Sequence, residues 1–216
     1  MNLRYIPEKH SCVHTVVIGE YQPEMCKLTL PNLRAYADRI GADFNIINKS
    51  VFDGYPPNYE RFQVYEMGRQ YKYNLVIDAD YIFHTDVPDF TKNFDLKNVG
   101  YLSHMDISQY YKPNNYFKKD GRNRGIADAM VVSTYLTHDV WTPCPYSYDE
   151  LKEECLLDPR QVSELWLSIN LARFGLSFVP IFTSFCGTYT PLATTNKLEK
   201  PEELILEKLK LWSLLR

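Results

Sequence analysis

NLVIDADYIF, residues 74–83, is the stretch on which the interpretation of this chain turns. Leu75, Val76 and Ile77 form a continuous apolar run of the kind a buried strand carries. Asp78 and Asp80 interrupt it, and Tyr81, Ile82 and Phe83 resume it. Along an extended strand, residues i and i+2 point to the same side. Asp78 and Asp80 are therefore expected to face one cleft, with Ala79 turned away. In a partly buried cleft two ionised carboxylates repel, and one is driven towards its neutral form unless a cation sits nearby. Mg²⁺ or Mn²⁺, hard ions that take oxygen ligands, would resolve this and complete their shell with phosphate oxygens. The competing explanation is local. Asp is common in turns, and the pair would then only solvate a strand end.

Working outward, HTVVIG (14–19) has the pattern of a short buried strand. PEMCKLTLPNLRAYADRIG (23–41) has helical spacing, with Cys26, Leu30, Leu33, Ala37 and Ile40 on one face. Pro31 inside that pattern predicts a break or kink, and Gly41 a stop. DFNII (43–47) follows as a strand, GYPPNY (54–59) as a loop and YERFQVYEMGRQY (59–71) as a helix. The first 80 residues thus alternate β-α-β-α-β, which implies a parallel sheet with crossover helices. Ligands of such sheets bind at the carboxyl ends of the strands, where Asp78 and Asp80 fall. Further along, VGYLSH (99–104), IADAMVVST (126–134) and LSFVPIF (176–182) read as strands, and 109–125 as a polar, aromatic and basic loop. Residues 142–159 are expected to be irregular or partly helical. DPRQVSELWLSINLARFG is the cleanest helix. Asp158 and Pro159 open it, Gly175 ends it, and Val162, Leu165, Trp166, Ile169 and Ala172 form its apolar face. The tail 201–216 is an amphipathic helix that either packs on the domain, leads to a further domain of a longer chain, or lies on a membrane surface.

The 216 residues suffice for one α/β domain, taken as 1–216. Hydrophobic residues at 45% and charged residues at 24% are those of an ordinary globular protein. A net charge of −3 argues against a nucleic-acid partner, which would demand a basic patch. Cys12, Cys26, Cys144, Cys155 and Cys186 form no CxxC pair, which fits a reducing compartment better than a disulfide framework. Without an apolar run long enough to span a bilayer, or a leader-like start, the expected location is the cytoplasm. For a viral chain this means the host cytoplasm.

In this order the motifs resemble those of the GT-A class of nucleotide-sugar glycosyltransferases, including its glycogenin-like and bacterial galactosyltransferase-like members. IDADYIF is similar to the DxD motif of that class, and YERFQVYEMGRQYKYN to the helix before it. IADAMVVS resembles the acceptor-side strand, SELWLSINLARFGLSFVPI the late helix and strand, and SFCGTYTP the closing His-Phe-x-Gly motif. The likeness runs over about residues 13–192, and the chain is also similar to anchor-free glycosyltransferase domains of chlorella viruses. It implies a three-layer α/β/α domain with a central, mostly parallel sheet. It further implies transfer of a sugar from a nucleoside diphosphate, UDP-glucose foremost, to a hydroxyl on a glycan or glycoprotein, with Mn²⁺ or Mg²⁺ as cofactor.

By the same resemblance, Asp80 would bind the metal, and Asp78 would bind it through water or hold the donor ribose beside Ala79. Ile18, Gly19 and Tyr21 would border the nucleobase, and Arg61 would contact the nucleotide. Glu164, or alternatively Asp128 inside the acceptor-side strand, would act on the acceptor hydroxyl. Glu164 also falls on the polar face of its helix, where a solvated role is equally natural. The class's late His falls at Ser184 and its Lys at Thr190. His104 is then a candidate third ligand, and Lys197, Arg122 or Arg124 a replacement cation, each with an ordinary structural or solvated alternative. Tyr110, Tyr111 and Tyr189 are candidates for stacking on sugar.

A haloacid-dehalogenase-like phosphatase also uses strand-DxD. It wants Thr or Val after the second Asp, where this chain has Tyr81 and Ile82, and a later Lys and strand-end acid pair that the sequence does not show. A nucleotidyltransferase wants a glycine-rich basic loop that GEYQPEM does not supply. A non-catalytic nucleotide-sugar-binding domain is the remaining alternative.

Overall fold

The computed structural model describes residues 6–83, 85–102, 105–106, 126–127, 130–153 and 161–181. Its frame is a six-stranded sheet with strand order β2-β1-β3-β7-β4-β8. These strands are β1 (Lys9–Val16), β2 (Asp43–Ile47), β3 (Tyr71–Ile77), β4 (Asn98–Leu102), β7 (Met130–Thr134) and β8 (Ser177–Pro180). Between β4 and β7 in the chain, β5 (Met105–Asp106) and β6 (Ile126–Ala127) form a separate two-stranded antiparallel ladder. β1 pairs in parallel with β2 and β3, and β4 in parallel with β8, while β7 runs antiparallel to both neighbours. The sheet is therefore mostly parallel, as the alternation of strands and helices predicts.

Period-two alternation along β3 divides the core into two layers. Tyr73, Leu75 and Ile77 pack with Leu33, Tyr36 and Ala37 of α1 (Pro23–Ile40). Val76 points to the other face, into a cluster with Tyr59, Phe62, Trp141, Leu165 and Ile169. On that face lie α2 (Val64–Met67), α3 (Tyr148–Lys152) and α4 (Val162–Arg173). Because Ile77 faces α1, the next residue, Asp78, emerges on the α4 side.

Several expected boundaries shift for physical reasons. β1 covers Lys9–Val16 rather than 14–19. Its polar residues Lys9, His10, Ser11 and His14 hide it from an apolar pattern, but parallel pairing with β3 begins at Lys9. Gly19 adopts a left-handed φ of 63° and turns the chain away. α1 runs unbroken through Pro31, held by the buried Thr29, Leu33 and Tyr36, and ends at Gly41 with φ 68°. The single helix expected over 59–71 is instead a 3₁₀ turn (Pro57–Gln63), α2, and a second 3₁₀ turn (Gly68–Gln70). Gly68 lies so close to Asn74 that an added Cβ would come within 2.7 Å of its Oδ1. The strand expected over 126–134 is split between β6 and β7. Asp158, Pro159 and the 201–216 tail lie outside the described residues. No described helix is long and apolar enough to cross a membrane.

Candidate functional site

A cleft of about 170 Å³ opens at the carboxyl ends of β1 and β3. It is lined by Val16, Ile18 and Tyr21 after β1, Pro57, Asn58 and Arg61 from the first 3₁₀ turn, Val76 to Asp80, and Glu164 from α4. Seven residues singled out in the sequence thus share one hollow: Ile18, Tyr21, Arg61, Asp78, Ala79, Asp80 and Glu164. Gly19 is not among the lining residues.

The two acids arrive by a route the strand pattern does not anticipate. β3 ends at Ile77, and the Tyr81 N–H donates to the Asp78 carbonyl at 3.1 Å, so Asp78-Ala79-Asp80 forms a turn. Alternation along an extended strand is therefore not what aims Asp80. Ala79 is turned away, into a small cluster with Met25, Cys26 and Ile82, although it also borders the cleft. Asp80 is buried and Asp78 half-buried. Burial raises the pKa of Asp80, opposed by its own backbone N–H and by the charge of Arg61. Burial likewise keeps the Tyr21 hydroxyl protonated, reinforced by the fields of Asp80 and Asp78.

Arg61 is placed by its neighbours. Tyr59 and Phe62 bury themselves in the core on either side of it. The Glu60 carboxylate accepts from Ser50 Oγ, from the Val51 and Phe52 backbone N–H groups and from Gln63, which fixes the turn against the preceding loop. The Arg61 side chain, only 5% exposed, donates from Nε to the Asn58 carbonyl at 3.2 Å and from Nη2 to Asp78 Oδ1 at 3.1 Å. The same Nη2 lies 3.7 Å from Glu164 Oε1. Glu164 is 13% exposed, so the solvated alternative does not describe it. α4 is buried on most sides, which leaves even its polar positions 163 and 164 enclosed. Glu164 also accepts from Ser163 Oγ at 2.7 Å, and Ser163 Oγ accepts from Asn58 Nδ2 at 2.9 Å. Asn58 escaped sequence reasoning because it sits in a stretch with loop composition; its place three residues before Arg61 was the available signal.

Formally, Asp78, Asp80 and Glu164 set three carboxylates against one guanidinium. A surplus of negative charge beside a buried carboxylate suits a divalent cation. Among the described residues no group of three or more His, Cys, Asp and Glu side chains could hold a metal ion. The cleft offers the pair Asp78 and Asp80, so a hard ion would draw its other ligands from water or a bound diphosphate. Asp128, His104, Ser184, Thr190, Lys197, Arg122, Arg124, Tyr110, Tyr111 and Tyr189 lie outside the described residues.

A glycosyltransferase involved in the glycosylation of the major capsid of PBCV-1 superposes with a TM-score of 0.51 at 8% identity, over 79% of this chain and 81% of that one. The fold is of the GT-A type. The galactosyltransferase LgtC, solved with donor and acceptor sugar analogues, gives a TM-score of 0.47 at 11% identity, over 78% and 73% of the two chains. A Drosophila galactosyltransferase 7 mutant, complexed with manganese, UDP-Gal and xylobiose, gives 0.39 at 11% identity, over 79% and 64%. No protein-family profile and no curated protein matches the sequence. At such low identity the likeness is one of fold, and function rests on the cleft itself.

Proposed function

We propose that the protein is a metal-dependent glycosyltransferase that moves a sugar from a nucleoside-diphosphate donor to a hydroxyl of a glycan or glycoprotein acceptor. UDP-glucose is the first donor to test. The observation that carries this is the Asp78-Ala79-Asp80 turn, opening into a cleft at the strand ends with acids in excess of bases. Fold likeness and motif order support it.

In this scheme Asp78 and Asp80 hold Mn²⁺ or Mg²⁺. The bound ion would supply electrostatic stabilisation of the departing diphosphate. Val16, Ile18 and the Tyr21 ring border the nucleobase, leaving the protonated Tyr21 hydroxyl able to donate. Arg61 adds a fixed positive charge beside the phosphates. Glu164 faces the same hollow and is the described acid placed to accept the acceptor hydroxyl proton as the new bond to the sugar forms. Asp128 keeps its candidacy for that role. Enclosure of Asp80 and Arg61 limits competing water, which strengthens each of these interactions.

The test is a donor assay. Incubation with UDP-glucose and Mn²⁺ should release UDP, EDTA should stop the release, and Asp80→Ala should remove it while the far-UV circular dichroism is kept. Full activity in Asp80→Ala would overturn the assignment.

A further inference from the structure

Arg61 is the one described basic side chain lining the cleft, and it stands between two acids rather than on one. Its guanidinium is 3.1 Å from Asp78 and 3.7 Å from Glu164. Its Nε is tethered to the Asn58 carbonyl, and a single nitrogen, Nη2, faces both carboxylates. Asn58 also steadies the far side, because its side-chain amide donates to Ser163 Oγ, which donates to Glu164. A cation bound at Asp78 cannot share that carboxylate with a guanidinium without like-charge repulsion.

We infer that Arg61 is an exchangeable counter-ion and a positioning residue: it neutralises Asp78 while the cleft is empty and moves to Glu164 when a divalent cation takes Asp78. Filling the donor half of the cleft then strengthens the Arg61–Glu164 pair and fixes the acid that faces the acceptor. The inference rests on the metal-site assignment above and adds to it a coupling between the two halves. Coupling of this kind is reciprocal: whatever strengthens the pull of Glu164 on Arg61 also eases cation entry at Asp78.

A double-mutant cycle on Mn²⁺ binding tests it, with Mn²⁺ alone titrated into the full chain by calorimetry or electron paramagnetic resonance. Glu164→Gln removes one of the two acids that Arg61 faces in the cleft, shifts Arg61 towards Asp78 and should weaken Mn²⁺ binding by about fivefold or more. In an Arg61→Gln background the same change should alter it by less than about twofold, the range expected of independent sites. Should Arg61→Gln fail to fold, Arg61→Lys serves, because its single ammonium cannot grip two carboxylates at once. An equal effect of Glu164→Gln in both backgrounds would mean only direct through-space attraction of the cation by Glu164 and would overturn the exchange while leaving the metal site standing. If the wild-type chain binds no Mn²⁺, or Asp80→Ala binds it equally well, the metal-site assignment itself falls and the exchange with it.

Discussion

Two polar hollows lie along β1 and β3, and their charges are arranged in opposite ways. The cleft at the strand ends gathers Asp78, Asp80 and Glu164 around Arg61. A second cavity of about 340 Å³, bordered by Cys12, His14, Asn45, Met67 and Tyr71, lies further back along the same strands. There each group answers another. Asn74 Nδ2 donates to the Gly68 carbonyl at 3.1 Å, which turns its Oδ1 to His14 Nε2 at 3.0 Å. With Nε2 thereby protonated, His14 Nδ1 accepts from Asn45 Nδ2 at 3.2 Å, and the same amide donates to Met67 Sδ. The larger hollow is internally paired, with its acid, Asp43, answered by Lys9 and by the Tyr71 hydroxyl, so it needs nothing from outside to exist. The smaller one carries an excess of one sign, which only a bound cation or a raised carboxylate pKa relieves. The balance of charge, rather than the volume, separates cement from site.

The contrast can be broken at either end. The largest effect is expected in the cleft. Asp80→Ala should lower metal-dependent donor turnover by about 10²–10³-fold, and its melting temperature should hold or rise, because a buried carboxylate costs the fold free energy. A lowered melting temperature with turnover intact would mean that Asp80 belongs to the cement. The next effect falls on the second hollow and on pH. His14 is held down at about 4, chiefly by burial, with Asn74 opposing and His138 assisting. Unfolded, it titrates near 6.5, so between pH 6.5 and 4 the unfolded state binds the extra proton. Stability is therefore full above pH 6.5 and falls as the pH drops through that window, by about 3 kcal/mol from His14 alone. Denaturant titrations of His14→Gln should show a correspondingly shallower pH slope; an unchanged slope would refute the buried neutral imidazole.

Smaller still, Asn74→Ala strands His14 Nε2–H and removes one of two donors to the Gly68 carbonyl, which keeps the Tyr71 N–H; it should cost about 1–3 kcal/mol in chemical denaturation, with turnover per folded molecule unaltered. A specific loss of turnover would join the two hollows into one functional unit. The smallest effect sharpens the point about exposure. Lys9 and Asp43 form a 2.7 Å ion pair at the rim of the second cavity, each side chain about half exposed. Lys9→Ala should change stability by less than about 1 kcal/mol, and less again in high salt.

Much of the frame was legible in the sequence because it depends on local periodicity. Leu75, Val76 and Ile77 mark a buried strand, the helical spacing of Cys26, Leu33 and Ala37 marks the buried face of α1, and Gly41 stops it. Less legible were elements whose residues answer to distant neighbours. β1 is too polar for an apolar pattern because His14 is solvated by Asn45 and Asn74 rather than by water. The interruption at Gly68 follows from Asn74, six residues on. Asn58 looks like loop because its function, if the cleft works as proposed, lies in what its carbonyl and amide reach: Arg61 and Ser163.

By itself, then, the sequence settled the main strands of the sheet, the long first helix and the late helix, the mostly parallel pairing, and the placing of two acids where β3 runs out, since each follows from spacing and from the cost of burying polar groups. Only the folded chain decided that Asp80 is aimed by a turn, that Glu164 is enclosed rather than solvated, and that one guanidinium stands between the acids of two different elements. Those facts depend on distances between residues as far apart as 61 and 164, and such distances are fixed by how layers pack across a sheet.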